Sequence, residues 1–386
     1  MSMRKYKLLY LVSEDRYFLS HKLPHALIAI KNGFDVILVC KVSKYRKKIE
    51  SLGIKVENIN FDRRSLNFFK EINIWINYIK VLIISKPDLI QSIALKPILY
   101  TCLGSLFFRK IKKIYAVVGL GYLFINKSIK VKIIRKIIIL VLRLFFSRKN
   151  NFVVFQNNDD LEYFLKEKIV QKEITTIIKG SGVNINHFTP SEKVKKKYDV
   201  IMHCRMLYDK GITELINASK ILKNKGLKIK ILFLGSPDIN NRASVSEKQL
   251  KIWKKEKLIE WITERENVLP YLRMSKIAVL PSYKEGLPKS LLEAASCGLP
   301  IISTNVPGCK EICKHDYNGL LINAKDSNSL AKSIENLYIN NEKAKKMGIK
   351  SRNLVKQNFS DEIISNKFLK LYLKLTQQLS HKNEKE

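Results

Sequence analysis

The chain of 386 residues is short of acidic side chains, glycine and proline. Only 34 Asp and Glu stand against 71 Lys and Arg, which gives a formal net charge of +37. The 15 glycines and 10 prolines exclude a collagen-like or low-complexity chain. Hydrophobic residues make up 46% of the chain, which excludes global disorder because disordered chains are poor in apolar residues. Length and composition therefore predict about two globular domains with packed cores.

Cysteine is also scarce, and several catalytic motifs are absent. The six cysteines form no C-x-x-C pair, which excludes a dense disulfide framework and fits a reducing compartment. The grouping of Cys309, Cys313 and His315 lacks a nearby fourth ligand, so we expect ordinary thiols there. No P-loop, HExxH or GxSxG pattern occurs. The sequence therefore predicts no metal site.

Long uncharged apolar runs are missing as well. No stretch reaches 18 uncharged apolar residues, so we expect no transmembrane helix. The short apolar run at 8–12 is followed at once by charged residues and predicts no signal peptide. The basic excess still indicates an anionic partner, which could be nucleic acid, an anionic membrane or a phosphorylated substrate.

One segment, 129–146, combines an apolar surface with a basic one. On a helical wheel, Lys132, Arg135, Lys136 and Arg143 fall within an arc of about 100°, and apolar residues occupy the other side. This pattern is typical of a helix lying in a membrane interface. It is equally typical of a domain helix with a solvated basic stripe, and the helix alone leaves both interpretations open.

Short apolar runs alternate with helix-sized stretches along both halves of the chain, which predicts parallel sheets covered by helices on both faces. We expect two doubly wound α/β domains, at 1–180 and 195–360. A C-terminal helix and polar tail follow at 361–386, and we expect the helix to pack back on the first domain. The predicted strands are 7–12, 35–39, 55–59, 88–92, 113–118, 152–155, 175–178, 199–204, 230–234, 277–280, 300–303 and 319–322.

Ligands of doubly wound sheets bind beyond the carboxyl ends of the strands, so we expect the site in a cleft between the two domains. The segment after the strand at 277–280 carries Glu285, a Gly286-Leu287-Pro288 turn and Glu293 on the helix that follows. We expect Pro288 in the first helical turn, where a missing N–H costs little. The helix N-terminus suits diphosphate oxygens, and the two carboxylates suit hydroxyl pairs. A Glu-x7-Glu pair outside such a context would indicate only a solvated helix face.

Two further strand ends carry candidate residues. Arg205 and Lys210 follow the strand at 199–204, where they could bind a diphosphate, although two surface cations would look the same. Gly119 and Gly121 follow the strand at 113–118 and would let the backbone approach a ligand. This is not a dinucleotide-binding fingerprint, because Phe124 stands where GxGxxG needs glycine.

Taken together, these residues resemble a known family. The Glu285-x7-Glu293 motif, Arg205 with Lys210-Gly211, and the segment at 180–188 look like retaining family-4 glycosyltransferases of GT-B fold. Motifs in the first half narrow the resemblance to bacterial enzymes that build capsule, O-antigen and glycan chains on undecaprenyl diphosphate. These motifs are at 20–24, 62–67, 94–100, 119–124 and 155–160.

The resemblance implies a role for each candidate residue. Arg205 and Lys210 should bind the donor diphosphate, Glu285 the donor sugar hydroxyls and Glu293 the nucleotide ribose. The Gly286-Leu287-Pro288 backbone should line the sugar and the diphosphate. Gly119 and Gly121 should form the wall of the first domain near the reacting centre. Many relatives place a His after the fifth strand, and the corresponding segment at 115–119 has none.

The resemblance also implies the reaction and its partners. We expect a retaining transfer of a sugar, such as an N-acetylhexosamine, from a UDP-sugar to a polyprenyl-diphosphate-linked saccharide. Neither a metal nor another cofactor is expected. We expect a peripheral protein on the cytoplasmic face of the inner membrane, with Lys132, Arg135, Lys136 and Arg143 facing anionic lipid and acceptor. Two alternatives are a sugar-nucleotide epimerase of GT-B fold and a basic nucleic-acid-binding protein, although the preferred interpretation expects no nucleic acid.

Overall fold

In the computed structural model the chain forms two compact units, and residues 5–61, 67–119, 128–238 and 241–383 are described. One unit comprises Met1–Ser181 and Asp361–Glu386, and the other comprises Gly182–Ser360. The first unit is therefore built from both ends of the chain.

The first unit is organised around a seven-stranded parallel sheet. Its strands are β1 (Tyr6–Glu14), β2 (Phe34–Lys41), β3 (Lys55–Asn58), β4 (Leu89–Ile93), β5 (Lys112–Val117), β6 (Asn151–Phe155) and β7 (Thr175–Ile177). They pair in the order β3-β2-β1-β4-β5-β6-β7. The strand order reverses between β1 and β4, which makes their carboxyl ends the topological switch point of this sheet.

Helices cover both faces of this sheet. The helices before residue 181 are α1 (Asp15–His21), α2 (Leu23–Lys31), α3 (Arg46–Glu50), α4 (Phe68–Ser85), α5 (Leu95–Gly104), α6 (Ile129–Phe146) and α7 (Asn158–Lys166). On one face, α4 packs on Leu9 and Leu11, and α5 and α6 pack on Tyr115 and Val153. Leu8 and Tyr10, which alternate with these residues along β1, pack on the other face against α2.

The second unit repeats the pattern with a six-stranded parallel sheet. Its strands are β8 (Tyr198–His203), β9 (Ile231–Leu234), β10 (Glu260–Ile262), β11 (Ser275–Leu280), β12 (Ile301–Thr304) and β13 (Gly319–Ile322), in the order β10-β9-β8-β11-β12-β13. Its helices are α8 (Ile212–Asn224), α9 (Glu247–Lys255), α10 (Leu269–Arg273), α11 (Lys289–Ser296), α12 (Cys309–Ile312), α13 (Ser327–Ile339) and α14 (Asn341–Asn358). The strand order reverses between β8 and β11.

The last helix, α15 (Asp361–Asn383), belongs to the first unit. The Tyr372 hydroxyl lies 2.8 Å from the Tyr10 hydroxyl of β1. Phe368 stacks on His25 of α2, with ring centroids 4.5 Å apart. This helix therefore completes the core on one face of the first sheet.

The doubly wound α/β fold predicted from the sequence is confirmed, and the local differences have physical causes. The chain breaks at Lys22 between α1 and α2, because Pro24 can occupy a first turn but not a helix interior. The edge strand β10 was not predicted, since only three residues form it. Residues 182–194, between the two predicted domains, belong to the second unit. There the Arg352 guanidinium donates hydrogen bonds to the carbonyls of Phe188 at 2.6 Å and Ile185 at 2.8 Å.

Candidate active site

The two most informative segments of the sequence meet at the switch point of the second sheet. Arg205 and Lys210 follow β8, Glu285 follows β11, and these two strands are hydrogen-bonded neighbours. Ligands of doubly wound sheets bind at this kind of position. The sheet topology therefore brings together residues that are far apart in the sequence.

A glycine allows the turn after β8 to pack closely against the loop after β11. Gly211 has φ +77, and a Cβ built on it would lie 2.1 Å from the carbonyl oxygen of Pro281. The Tyr283 amide also donates a 2.9 Å hydrogen bond to the carbonyl of Asp209. Only glycine tolerates both this backbone conformation and this close approach. The segment that carries Lys210 is therefore held directly against the segment that carries Glu285.

Lys210 and Glu285 form a short ion pair within this contact. The Lys210 Nζ lies 2.5 Å from Glu285 Oε1, and the exposed fractions of the two side chains are 19% and 12%. Burial opposes the charge of Lys210, but the carboxylate outweighs it and raises the pKa of the ammonium group. Ser282 Oγ donates a 2.7 Å hydrogen bond to the same Oε1. The pair is thus a fixed cation beside a fixed carboxylate.

The loop that carries Glu285 and Gly286 is supported from β12. Gly308, with φ +78, approaches so closely that a Cβ there would lie 2.3 Å from the Gly286 carbonyl oxygen. Leu287 and Pro288 continue the loop, and α11 begins at Lys289. Pro288 is the N-cap residue and not, as predicted, part of the first turn. Its side chain cannot accept a hydrogen bond from the helix, so the cap has no side-chain bond.

Glu293 lies on α11 and faces a histidine that was not among the predicted site residues. His203, the last residue of β8, places Nδ1 3.5 Å from Glu293 Oε2. This Nδ1 is buried and has no hydrogen-bond partner in the described part of the chain. Burial lowers the pKa of His203 to about 4, so the ring is neutral near pH 7. Its position at the end of β8, next to Arg205, was the available signal.

Arg205 occupies a more open position than Lys210. Its Nη1 lies 2.8 Å from Asp238 Oδ2, beyond β9, and its side chain is 55% exposed. It thus remains at the carboxyl end of β8, as the sequence indicates, but its ion pair is separate from that of Lys210.

The first-domain candidates are only partly described. Gly119 follows β5 with φ +118, a conformation that favours glycine. Gly121 lies outside the described residues, as do Arg63 and Arg64 of the motif at 62–67. Asp159 and Asp160, the last two residues of the motif at 155–160, lie in the first turn of α7. The cap is Asn157, whose side chain accepts a hydrogen bond from the Asp160 amide at 2.8 Å.

The basic residues of 129–146 lie on α6, whose bounds are those predicted. Lys132 and Lys136 are exposed, and Arg135 is half-buried. Arg143 donates hydrogen bonds to the carbonyls of Glu167 at 2.7 Å and Lys168 at 3.1 Å, which holds α6 to the end of α7. Over the residues that the structure describes, no helix has the length and apolar character needed to cross a bilayer.

The described residues contain no cluster of three His, Cys, Asp or Glu side chains suited to a metal ion. Cys309 and Cys313 are fully buried, and the Cys313 thiol points to two backbone carbonyls at 3.7 Å. His315 is instead on the surface, 3.2 Å from Asp316.

Comparison with known proteins identifies the family. A Glycosyl transferase 4-like model matches residues 7–157, and a Glycosyl transferases group 1 model matches residues 184–354. The N,N'-diacetylbacillosaminyl-diphospho-undecaprenol alpha-1,3-N-acetylgalactosaminyltransferase of Campylobacter jejuni is 29% identical over 89% of this chain and 92% of its own length. The UDP-Gal:alpha-D-GlcNAc-diphosphoundecaprenol alpha-1,3-galactosyltransferase of Escherichia coli is 24% identical over 78% of this chain and 79% of its own.

Solved structures show the same fold. Anabaena HepE, in complex with UDP and glucose, superposes with a TM-score of 0.76 at 15% identity, over 95% of this chain and 99% of that one. The epimerase and nucleic-acid-binding alternatives receive no support from these comparisons. The two family models together span most of the chain, and its two Rossmann-like units have the GT-B architecture. The chain therefore belongs to the glycosyltransferases of GT-B fold that combine a 4-like domain with a group 1 domain.

Proposed function

We propose that this glycosyltransferase transfers a sugar from a UDP-sugar to a polyprenyl-diphosphate-linked saccharide, with retention at the anomeric carbon. The fixed Lys210–Glu285 pair at the switch point of the second sheet is the observation that carries the donor side of this proposal. The acceptor class is inferred from the Campylobacter and Escherichia coli relatives, which act on diphospho-undecaprenol-linked sugars. By the same likeness, an N-acetylhexosamine is a candidate donor sugar.

The pair suits a reaction in which a diphosphate departs. Negative charge develops on the leaving diphosphate, and a preorganised cation stabilises it most where water is largely excluded. The Lys210 ammonium group has three N–H donors, and one of them donates to Glu285. We infer that its remaining donors bind the donor diphosphate, with the more exposed Arg205 as the second cation.

The carboxylates suit the hydroxyl groups of the donor. The hydrogen bonds that described residues make to Glu285 both reach Oε1, so Oε2 remains to accept from a sugar hydroxyl. Glu293, farther along α11, would accept from the ribose diol. Gly286, Leu287 and Pro288 would present backbone to the sugar and diphosphate, and Gly119 and Gly121 would line the first-domain side.

We further propose that the reaction runs without a divalent metal, since Lys210 and Arg205 supply positive charge where the diphosphate would lie. Chelation by EDTA should then leave the initial rate of transfer unchanged. A rate that falls with EDTA and returns with Mg²⁺ or Mn²⁺ would contradict this part of the proposal.

We place the enzyme peripherally on the cytoplasmic face of the inner membrane, where a lipid-linked acceptor and an anionic surface are both present. Lys132 and Lys136 are exposed cations suited to anionic headgroups, and Arg135 lies beside them. Arg143 belongs to the same basic arc, but it also has a structural role, because it donates hydrogen bonds to the carbonyls of Glu167 and Lys168.

The test is transfer of radiolabelled sugar from a panel of UDP-sugars to undecaprenyl-diphosphate-linked saccharides. Arg205→Ala and Glu285→Ala should lower turnover by about a hundredfold or more, because each removes a group that acts on the reacting donor. Lys251→Ala on α9 changes a cation that is 70% exposed and lies 3.9 Å from Glu247; it is the matched control and should keep full activity. Folded protein that transfers no sugar from any UDP-sugar would contradict the proposal.

A further inference from the structure

The outer surface of the helix layer α4–α5–α6 is unusually apolar. All three helices pack on one face of the first sheet, so their opposite sides point away from it. Fourteen of the twenty-one exposed large hydrophobic side chains among the described residues lie on these helices or in the turn after α5. We call this surface the apolar layer.

The apolar layer includes α4, which the sequence pattern did not single out. Phe69, Ile76 and Ile83 recur every seven residues along α4, opposite its buried Tyr78 and Leu82, with exposures of 81%, 42% and 56%. A repeat of seven aligns side chains along one stripe of a helix. This helix is therefore apolar on two opposite sides, which a helix that only covers a sheet does not need.

Helix α6 has the same two-sided character. Leu142 and Phe146 are buried against the sheet, whereas Ile133, Ile137 and Leu140 are between 54% and 57% exposed. On the helical wheel, all the apolar residues of this helix form one side. The structure divides them into a packed side and an outward side, with Lys132 and Lys136 beside the latter.

The turn after α5 adds to the exposed apolar surface beside α4. Phe107 is 67% exposed, and its ring lies 6.0 Å from that of Trp75 on α4. The exposed apolar side chains thus continue from α4 to the turn after α5. Monomeric soluble proteins rarely expose contiguous apolar surface on this scale unless it meets a partner or a membrane.

The charge of these three helices decides between a second protein copy and a membrane as the partner. Along α4, α5 and α6 the chain has eight Lys and Arg but only one carboxylate, Glu71. Two copies joined through such a surface would bring like charges together, which is costly. An anionic bilayer offers apolar acyl chains and negative headgroups at once.

We propose that the whole apolar layer, α4 as well as α6, seats the first domain in the headgroup–acyl boundary of an anionic bilayer. This deepens the proposed function, because it replaces a basic contact through one helix by insertion of a broad apolar face. Lysines at its rim would then meet the headgroups while the isoleucines and Phe69 enter the acyl boundary. Binding through apolar insertion should resist salt, whereas binding through lysines alone should not.

The test is co-sedimentation with vesicles of phosphatidylcholine and phosphatidylglycerol, at low and high salt. The variant Phe69→Gln/Ile76→Gln/Ile83→Gln removes the α4 stripe and should weaken partitioning about tenfold or more at both salt concentrations. The matched control Ile252→Gln/Ile339→Gln/Ile349→Gln alters three exposed isoleucines of the second unit and should bind like the wild type. Lys132→Gln/Lys136→Gln should weaken binding mainly at low salt.

Two results would overturn the proposal. One is an α4 variant that binds vesicles as well as the wild type. The other is a wild-type dimer, seen by light scattering, that the same α4 changes convert to monomer, since the occupant would then be a second copy.

Transfer assays separate this inference from the proposed function. The α4 variant should keep transfer to a short-chain, water-soluble acceptor and lose it to an acceptor embedded in vesicles. If the wild type transfers sugar to neither acceptor while its vesicle binding still depends on α4, the proposed function fails and the membrane surface stands.

Discussion

Lys210 and Glu285 form an ion pair that is mostly removed from solvent. Lys210→Met would leave the carboxylate mostly buried without its cation, so we expect the free energy of unfolding to fall by about 3 kcal/mol. Transfer should fall by about a hundredfold or more, because the diphosphate loses its cation. Urea denaturation and initial rates measure the two effects.

A double variant separates stability from catalysis at this pair. Lys210→Met/Glu285→Gln removes both charges and should recover much of the lost stability, because no unpaired charge remains. It should recover no activity. Restored transfer in the double variant would show that Lys210 serves only to neutralise Glu285.

His203 should make stability depend on pH. Its folded pKa of about 4 lies below the value of about 6.5 expected in the unfolded chain, so the unfolded state binds a proton first as the pH falls. Stability that is present above pH 6.5 is therefore lost toward pH 4, with about 2 kcal/mol gone by pH 5. His203→Gln should flatten the profile of urea denaturation between pH 7 and pH 5. An unchanged slope would contradict a neutral, buried ring.

At the scale of elements, the turn at Gly211 holds two site segments together. Gly211→Ala would place a methyl group against the Pro281 carbonyl oxygen in a left-handed conformation, and should cost about 3 kcal/mol or more. Gly226→Ala is the matched control, because φ is +79 and no atom lies within 4 Å of the added Cβ. It should cost about 1 kcal/mol. Equal thermal shifts in the two variants would argue against the close contact.

Elements whose local pattern decides their structure were predictable from the sequence. The buried strands are short apolar runs, and the bounds of α6 follow from an uninterrupted helical pattern. What depends on distant packing was not predictable. The His203–Glu293 contact requires α11 to lie over the end of β8, and the division of α6 into packed and outward sides requires the position of the sheet.

The candidate site, too, was predictable from the sequence only in part. Arg205, Lys210 and Glu285 are recognisable because each follows a strand, and Glu293 because it lies on the helix after the Glu285 loop, eight residues from Glu285. Their partners are harder to recognise, because no pattern marks Asp238 or Ser282, and His203 is marked only by its position at the end of β8. The pairing of Lys210 with Glu285 emerges only when the sheet order makes β8 and β11 neighbours.

At the scale of the whole molecule, the two units should differ in their ability to fold alone. Residues 182–360 contain their complete core, so this fragment should melt cooperatively by circular dichroism. Residues 1–181 lack Phe368, Tyr372 and Leu375, which lie in the first unit's core. We therefore expect that this fragment will not melt cooperatively. Adding a peptide of residues 361–383 should restore a cooperative transition. Cooperative melting of 1–181 by itself would refute this.

The placement of α15 also has a consequence for biosynthesis. Domains generally fold as units and in the order in which the ribosome releases them. Here the strands of the first sheet emerge before the second unit, yet the helix that covers Tyr10 and Gln91 is translated after it. The second unit can mature while the first still exposes an apolar sheet face. The nascent chain should therefore depend on chaperones for most of its synthesis, and premature termination near residue 360 should yield aggregates instead of a shortened enzyme.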